Sequence, residues 1–140
     1  MIYTENYATI HNLLKEPFAQ IHYEPANRIL YCEWTGYLKL DETRESCQMI
    51  IDFVKEHQLK RQLSVHSRLK ILSMPLQDYL INDFFPQLEQ NGLRKTAVIL
   101  SDDVFAQVTA ENVGLRAGSS RHQIKSFTAM EEARGWLTRE

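Results

Sequence analysis

The spacing of apolar positions changes several times along this chain, and each change marks an element. Over residues 18–24 apolar and polar side chains alternate, and Pro25, Ala26 and Asn27 then form a turn-favouring group. Alternation resumes over residues 28–34, with Ile29, Tyr31 and Glu33 on one side and Leu30, Cys32 and Trp34 on the other. A period of two on both sides of a turn predicts an antiparallel hairpin. Gly36 lets the chain leave the sheet, and the period becomes helical. Cys47, Ile50, Ile51 and Val54 fall at i, i+3, i+4 and i+7, behind Asp41 as the expected N-cap.

A short strand over residues 62–66 leads into residues 67–73, which read as an irregular crossover. Ser73 is the expected N-cap of a second helix, with Pro75 in the first turn, where a missing amide costs little. Leu76, Leu80, Phe84 and Leu88 form a ridge of period four, Pro86 predicts a kink, and Asn91-Gly92 predicts the stop. The apolar run over residues 96–100 follows two basic residues and reads as a central strand covered on both faces. Ser101 or Asp102 should cap a third helix with Val104, Phe105 and Val108 facing inward, and residues 114–121 read as a surface loop. The chain closes on a buried strand ending near Phe127 and a helix with Ala133, Trp136 and Leu137 on one face. Thr128 and Glu131 stand at capping-box spacing before that helix.

Strands alternating with helices after a hairpin predict an α/β fold: a mostly parallel sheet of four to five strands with an antiparallel edge hairpin and three to four packed helices. Residues 18–140 read as a single domain, without repeats, low-complexity tracts or a linker. Residues 1–17 fit two descriptions. Tyr7, Ile10, Leu13 and Leu14 suit a helical stripe, while the same isolated apolar residues suit an extended arm that folds onto the domain or exchanges with a second copy in a homodimer.

A length of 140 residues suits one domain with its own core. With 16 Lys plus Arg against 18 Asp plus Glu, the formal charge of −2 supplies no broad field for nucleic acid or an anionic membrane. Cys32 and Cys47 read as small buried hydrophobes in a reducing compartment. No signal-peptide pattern and no membrane-length apolar run occurs, so a cytoplasmic location is expected.

Four features in their order resemble the SpoIIAA-like family, the STAS/SEC14-type domains that occur as small bacterial proteins. They are Trp34-Thr35-Gly36 closing the hairpin, Phe85-Pro86 in the second helix, Gly92 before a basic-to-apolar strand, and the ending from Phe127 to Leu137. The resemblance spans residues 18–137 and implies a binding or regulatory role rather than an established catalysis. Two positions depart from the pattern. Val65 stands where many relatives carry Asp. The phosphorylatable Asp-Ser-Ser-Gly-like turn of anti-sigma-factor antagonists is replaced by His66-Ser67-Arg68-Leu69, which makes Ser67 only the nearest positional candidate for modification.

Ligands of parallel sheets usually sit at the carboxyl ends of the strands. His66, Ser67 and Arg68 after one strand, and Ser101 and Asp102 after another, are therefore the partner- or ligand-binding candidates. His66 and Ser67 are adjacent on an extended segment and point apart, and no Gly-x-Ser-x-Gly elbow occurs, so no catalytic residue is assigned. No dinucleotide or phosphate-binding motif and no metal-ligand spacing is visible, so no cofactor or metal is expected. The leading expectation is a non-enzymatic module that binds an unknown protein partner in a bacterial regulatory pathway through this rim. The alternative is a carrier for a small apolar ligand, lipid or metabolite, with Tyr79, Phe84 and Phe105 lining the pocket.

Overall fold

The hairpin and the alternating strands join one six-stranded sheet in a computed structural model that describes residues 11–119 and 121–139. Strands β1 (His11–Glu16), β2 (Ala19–Glu24), β3 (Ile29–Gly36), β4 (Arg61–Leu69), β5 (Lys95–Ile99) and β6 (Gln123–Phe127) lie side by side in chain order. The first two pairings are antiparallel and the remaining three parallel, as short turns followed by helical crossovers require. The sheet exceeds the expected four to five strands because residues 11–16, read as arm or helix, add an antiparallel edge. Leu13 and Leu14 pack there against the core. Tyr7 and Ile10 lie outside the described residues.

Helices α1 (Leu40–His57), α2 (Met74–Tyr79), α3 (Phe85–Gln90), α4 (Val104–Ala117) and α5 (Met130–Thr138) complete the fold, and a π-helical turn over Leu80–Phe84 joins α2 to α3. The strand order advances one step at every crossover. Crossovers of one hand therefore lay α1, α2–α3 and α4 on the same face, and α5 returns to the other. On the three-helix face, Leu30, Cys32 and Trp34 pack on Cys47, Ile50, Ile51 and Val54. On the opposite face, Ile29, Leu63, Val65, Ala97 and Ile99 pack on Ala133, Trp136 and Leu137.

The helix ends follow local chemistry, with corrections. Lys39, not Asp41, is the N-cap of α1 and makes no side-chain cap bond, while Asp41 and Glu42 meet the helix dipole from the first turn. Ser73 caps α2 as expected, its Oγ accepting from the Leu76 amide at 3.3 Å. The π turn falls directly ahead of Pro86, whose absent N–H leaves the Asn82 carbonyl without its usual helical donor. Gly92, at φ +101, and Leu93 then close α3, with the Leu93 amide donating to the Leu88 carbonyl at 3.0 Å and the Gly92 amide to Glu89 at 3.0 Å.

The third expected helix, α4, is turned differently. Asp103 is its N-cap, accepting from the Phe105 and Ala106 amides at 2.9 and 3.3 Å, in place of Ser101 or Asp102. Val104, Phe105 and Val108 are 65%, 71% and 58% exposed, so the inward face is not theirs. The buried positions of α4 are Ala106 and Val113, with Gly114 half-buried where the helix packs on β6. A Cβ on Gly114 would meet Ile124 Cγ2 at 3.4 Å. Residues 114–117 accordingly belong to α4, and the surface loop begins at Gly118.

At the C-terminus, β6 is a largely exposed edge strand rather than a buried one. The capping box is not formed: α5 starts one residue later than that motif needs, with Ala129 as N-cap and no side-chain cap bond. The docking of Ala133, Trp136 and Leu137 is nevertheless as expected. Lys95 secures the far end, its Nζ donating to the carbonyls of Trp136 at 2.9 Å and Arg139 at 2.7 Å.

Candidate functional site

The segment Gln62-Leu63-Ser64-Val65-His66 of β4 alternates polar and apolar residues although helices cover both faces of the strand. Leu63 and Val65 meet α5, so Gln62, Ser64 and His66 turn toward the three-helix face. Gln62 and Ser64 are only 3% and 8% exposed, which makes this a buried polar row. Buried polar groups need partners, and most of these have them. Gln62 Nε2 donates to Thr96 Oγ1 at 3.1 Å, Thr96 Oγ1 bonds His122 Nε2 at 2.8 Å, and Ser64 Oγ bonds His66 Nε2 at 2.8 Å.

The row borders a pocket of about 70 Å³. Trp34, Leu38 and Cys47 close it near β3 and α1, Leu80, Phe84 and Phe85 close it at the π turn, and Ala110, Val113 and Ile124 close it at α4 and β6. Thr43 also lines it. Between the pairs Glu33–Val65 and Thr35–Arg68 the register advances two residues on β3 and three on β4, a bulge in β4. The extra residue lets both His66 and Leu69, three apart, line the same pocket, which an uninterrupted strand would forbid.

Two atoms of lining residues, Thr43 Oγ1 and His66 Nδ1, are sealed by the surrounding protein and have no hydrogen-bond partner among the described residues. Part of the His66 side chain still meets solvent, but its Nδ1 does not. Burial lowers the His66 imidazole to about 4. His122 is likewise lowered to about 4, chiefly by burial, with the Glu89 charge opposing and the Arg94 charge adding. Both rings are therefore neutral at physiological pH. Burial also raises the thiols of Cys32 and Cys47, leaving them protonated and weakly reactive. The arrangement offers hydrogen bonds inside an apolar enclosure and no ionic group.

The rim residues are brought together, though by stitching of the backbone. The Asp102 amide donates to the Ser67 carbonyl at 3.4 Å. Ser101, buried, donates from Oγ to the Leu69 carbonyl at 2.7 Å and accepts from the Asp103 amide at 3.0 Å. Ser67 lies within β4 rather than at a helix start, because the strand continues to Leu69 where an irregular crossover was expected. Arg68 is exposed and pairs with Glu33 at 3.6 Å, whereas His66 faces the pocket.

Of the three expected pocket residues, Phe84 lines the cavity. Tyr79 stands behind the lining, its ring stacked on Phe84 at 6.5 Å. Phe105 points away, on the exposed side of α4. Sequence reading missed Thr43, Gln62, Ser64, Thr96 and His122. The available signal was the polar alternation of a strand that the helix order places at the centre of the sheet.

Among the described residues, no helix is long and apolar enough to cross a membrane, and no group of three or more His, Cys, Asp or Glu side chains could hold a metal ion. No family model matches the chain, and no curated protein does. A crystal structure of an uncharacterised protein of the DUF3478 family from Shewanella loihica PV-4, described as having a SpoIIAA-like fold, is similar to it. The TM-score is 0.55 and the identity 14%, over 92% of this chain and 92% of that one. With the same succession of an antiparallel edge, parallel strands and packed helices, the chain has a SpoIIAA-like fold.

Proposed function

We propose that this protein is a non-enzymatic binding module whose working part is the pocket between the sheet and the helices α1, α2–α3 and α4. One observation carries the reading: a mostly apolar pocket between the sheet and three helical segments is bordered by the polar side chains of Thr43, Gln62, Ser64, His66 and Thr96. Pockets that are mostly apolar with a few convergent polar groups are the usual form of small-molecule sites. Native mass spectrometry of the full chain, incubated with a mixed library of small organic compounds, tests the proposal. A discrete adduct should form, and Ala110→Leu, which fills the pocket from α4, should remove it. An adduct that survives Ala110→Leu, or no adduct with any compound, would overturn the reading.

A second reading, attachment of a protein partner at the strand rim, is favoured by a separate observation. Tyr37, Ile71, Met74, Val104, Phe105 and Val108 are all exposed. The loops bearing Tyr37 and Ile71 are drawn to this end of the molecule by the bonds Lys70 amide to Gly36 carbonyl and Leu72 amide to Thr109 Oγ1. Exposed apolar groups gathered near one edge suit an interface. Sedimentation velocity across a concentration series addresses the simplest occupant, a second copy. Self-association abolished by Phe105→Asp supports it, and a monomer at every concentration removes it.

A further inference from the structure

The helices of the three-helix face arise from the crossovers that follow β3, β4 and β5, whereas β1, β2 and β3 are joined by turns that contribute none. Helix α1 accordingly seats on β2 and β3, with Phe53 edge-on to Tyr23 at 5.2 Å. Among the described residues no further helix follows it on the side of β1. An open groove remains there, with Leu14, Glu16 and Phe18 as its wall on the sheet and Glu42, Glu45 and Met49 as its wall on α1. It continues along α1 past Asp52, Phe53 and Glu56.

The groove carries one sign of charge. Glu42, Glu45, Met49, Asp52 and Glu56 follow one another at alternating spacings of three and four residues, which makes one stripe along about 21 Å of helix. Glu16 lines the same groove from β1. Neighbouring cations point elsewhere. Lys15 lies between Leu14 and Glu16 and so takes the other face of the sheet, and the Arg44 guanidinium sits over the Tyr79 ring at 5.3 Å. Lys55 is about 120° around the helix from Met49. Among the described residues Glu16, Glu42, Glu45 and Asp52 are in no ion pair, and Glu56 meets only His57, at 3.7 Å. Like charges three and four apart repel along a helix, so this stripe costs the lone protein stability. Leu14, Phe18, Met49 and Phe53, all half-buried, supply apolar surface between the carboxylates.

We infer that this groove seats a basic amphipathic helix of a partner protein, its apolar residues on Leu14, Phe18, Met49 and Phe53 and its Lys or Arg residues on the carboxylates of α1 and β1. The position is that of a further helix beside α1, and contact between rows spaced by three and four is how helices pack side by side. The sign of the charge excludes other occupants. A second copy presenting the same groove would set an acidic stripe against an acidic stripe, and nucleic acid or an anionic membrane would be repelled. This surface is separate from the pocket and from the strand rim, and its occupation depends on neither.

The test is an anisotropy titration of the full chain into three fluorescent synthetic peptides of equal length. One has Leu and Lys at amphipathic helical spacing, the second has Glu in place of Lys, and the third has Ser in place of Leu. Only the first should bind saturably, and more weakly as salt rises. In NMR of the isotope-labelled protein it should move the Met49 methyl and Phe53 ring signals. Glu45→Gln joined to Asp52→Gln, both at exposed positions, should weaken it about fivefold, the effect of two surface ion pairs, with no fall in melting temperature. Glu111→Gln joined to Glu132→Gln removes the same charge from exposed positions of α4 and α5 and should change binding little. A Leu-Lys peptide that does not bind, equal binding by the Glu or Ser peptide, or equal losses in the two double variants would overturn the proposal. So would movement of the Met49 and Phe53 signals on concentrating the protein alone, which would put a second copy in the groove.

Discussion

The two faces of the sheet differ in what the same central strands present to the helices covering them. Toward α5, β3, β4 and β5 offer Ile29, Leu63, Val65, Ala97 and Ile99, and a single helix closes over them with Ala133, Trp136 and Leu137. Toward the three-helix side, β4 and β5 offer Gln62, Ser64, His66 and Thr96, and three helical segments leave a pocket above them. The first face follows the ordinary logic of burial, in which packed apolar groups stabilise the fold. The second retains polar groups where apolar ones would pack more simply, and two atoms of the lining have no partner among the described residues. Natural sequences depart from local consistency mainly at functional sites, and the contrast between the faces accords with the binding role proposed for the second.

The largest expected effect belongs to the α5 face. Leu63→Ala should lower stability by about 3 to 4 kcal/mol in urea unfolding, through lost burial and an unfilled cavity. A loss below about 1 kcal/mol would show that α5 is not tightly seated.

Next comes a pH effect specific to the three-helix face. His122 is fully buried and its pKa is lowered from 6.5 to about 4, so on acidification the unfolded chain takes up its proton first. Stability is then full above the unfolded value and falls as pH drops from 6.5 toward 4, by up to about 3 kcal/mol for this ring. His66 adds a loss of the same sign. Melting followed across this range should show the decline, and His122→Gln, which can still bond Thr96, should make it shallower. Leu63→Ala should leave the slope unchanged, since it acts on the other face.

A smaller effect lies at the margin of the α5 face, where Arg134 holds Glu24 with two hydrogen bonds of 2.6 and 2.9 Å. Burial by itself would raise the Glu24 carboxyl, but the bonds and charge of Arg134, with help from His22, hold it below its ordinary value. Arg134 is 34% exposed, so solvent screening reduces the expected cost of Arg134→Ala to about 1 kcal/mol at neutral pH. The folded carboxyl is depressed, so this contribution is present above the unfolded value and disappears as pH falls through the folded one. Parallel urea titrations of the two proteins should converge in acid.

The smallest effect has the opposite sign. Thr43→Val replaces a buried, unpartnered hydroxyl by a methyl group and should raise the ligand-free protein's stability by about 1 kcal/mol. A gain in stability would show that the hydroxyl is unsatisfied within the fold. A destabilised Thr43→Val would instead mean that the hydroxyl is satisfied within the fold, and the contrast between the faces would lose its sharpest point.

Much of the architecture was legible because periodicity reports burial directly. The hairpin, the α1 stripe, the Ser73 cap, the Asn91-Gly92 stop and the α5 face all came from short-range patterns that hold wherever the element packs. The errors have one cause in common: two local readings competed, and only packing could choose. On α4 the stripe of Val104, Phe105 and Val108 coexists with one holding Ala106 and Val113, and packing buried the second, which left Phe105 exposed. At α5 the capping-box residues are present, but the helix begins one position beyond them. In β4 a short strand over residues 62–66 and an irregular crossover were expected, whereas the strand runs on to Leu69 and its polar residues Gln62 and Ser64 are buried.

The sequence by itself determined the class of fold, the order of strands and helices from β2 onward, the absence of a strong charge bias and the burial of both cysteines, because each depends on composition or on neighbours within a few residues. Only the tertiary structure decided that Gln62, Ser64 and Thr96 line one pocket, that a bulge adds Leu69 to the lining beside His66, and that Thr43 Oγ1 and His66 Nδ1 are buried without partners among the described residues. Those residues come from separate strands and a helix. Their meeting depends on the register between β3, β4 and β5 and on how closely each helix can approach, quantities that no local pattern encodes.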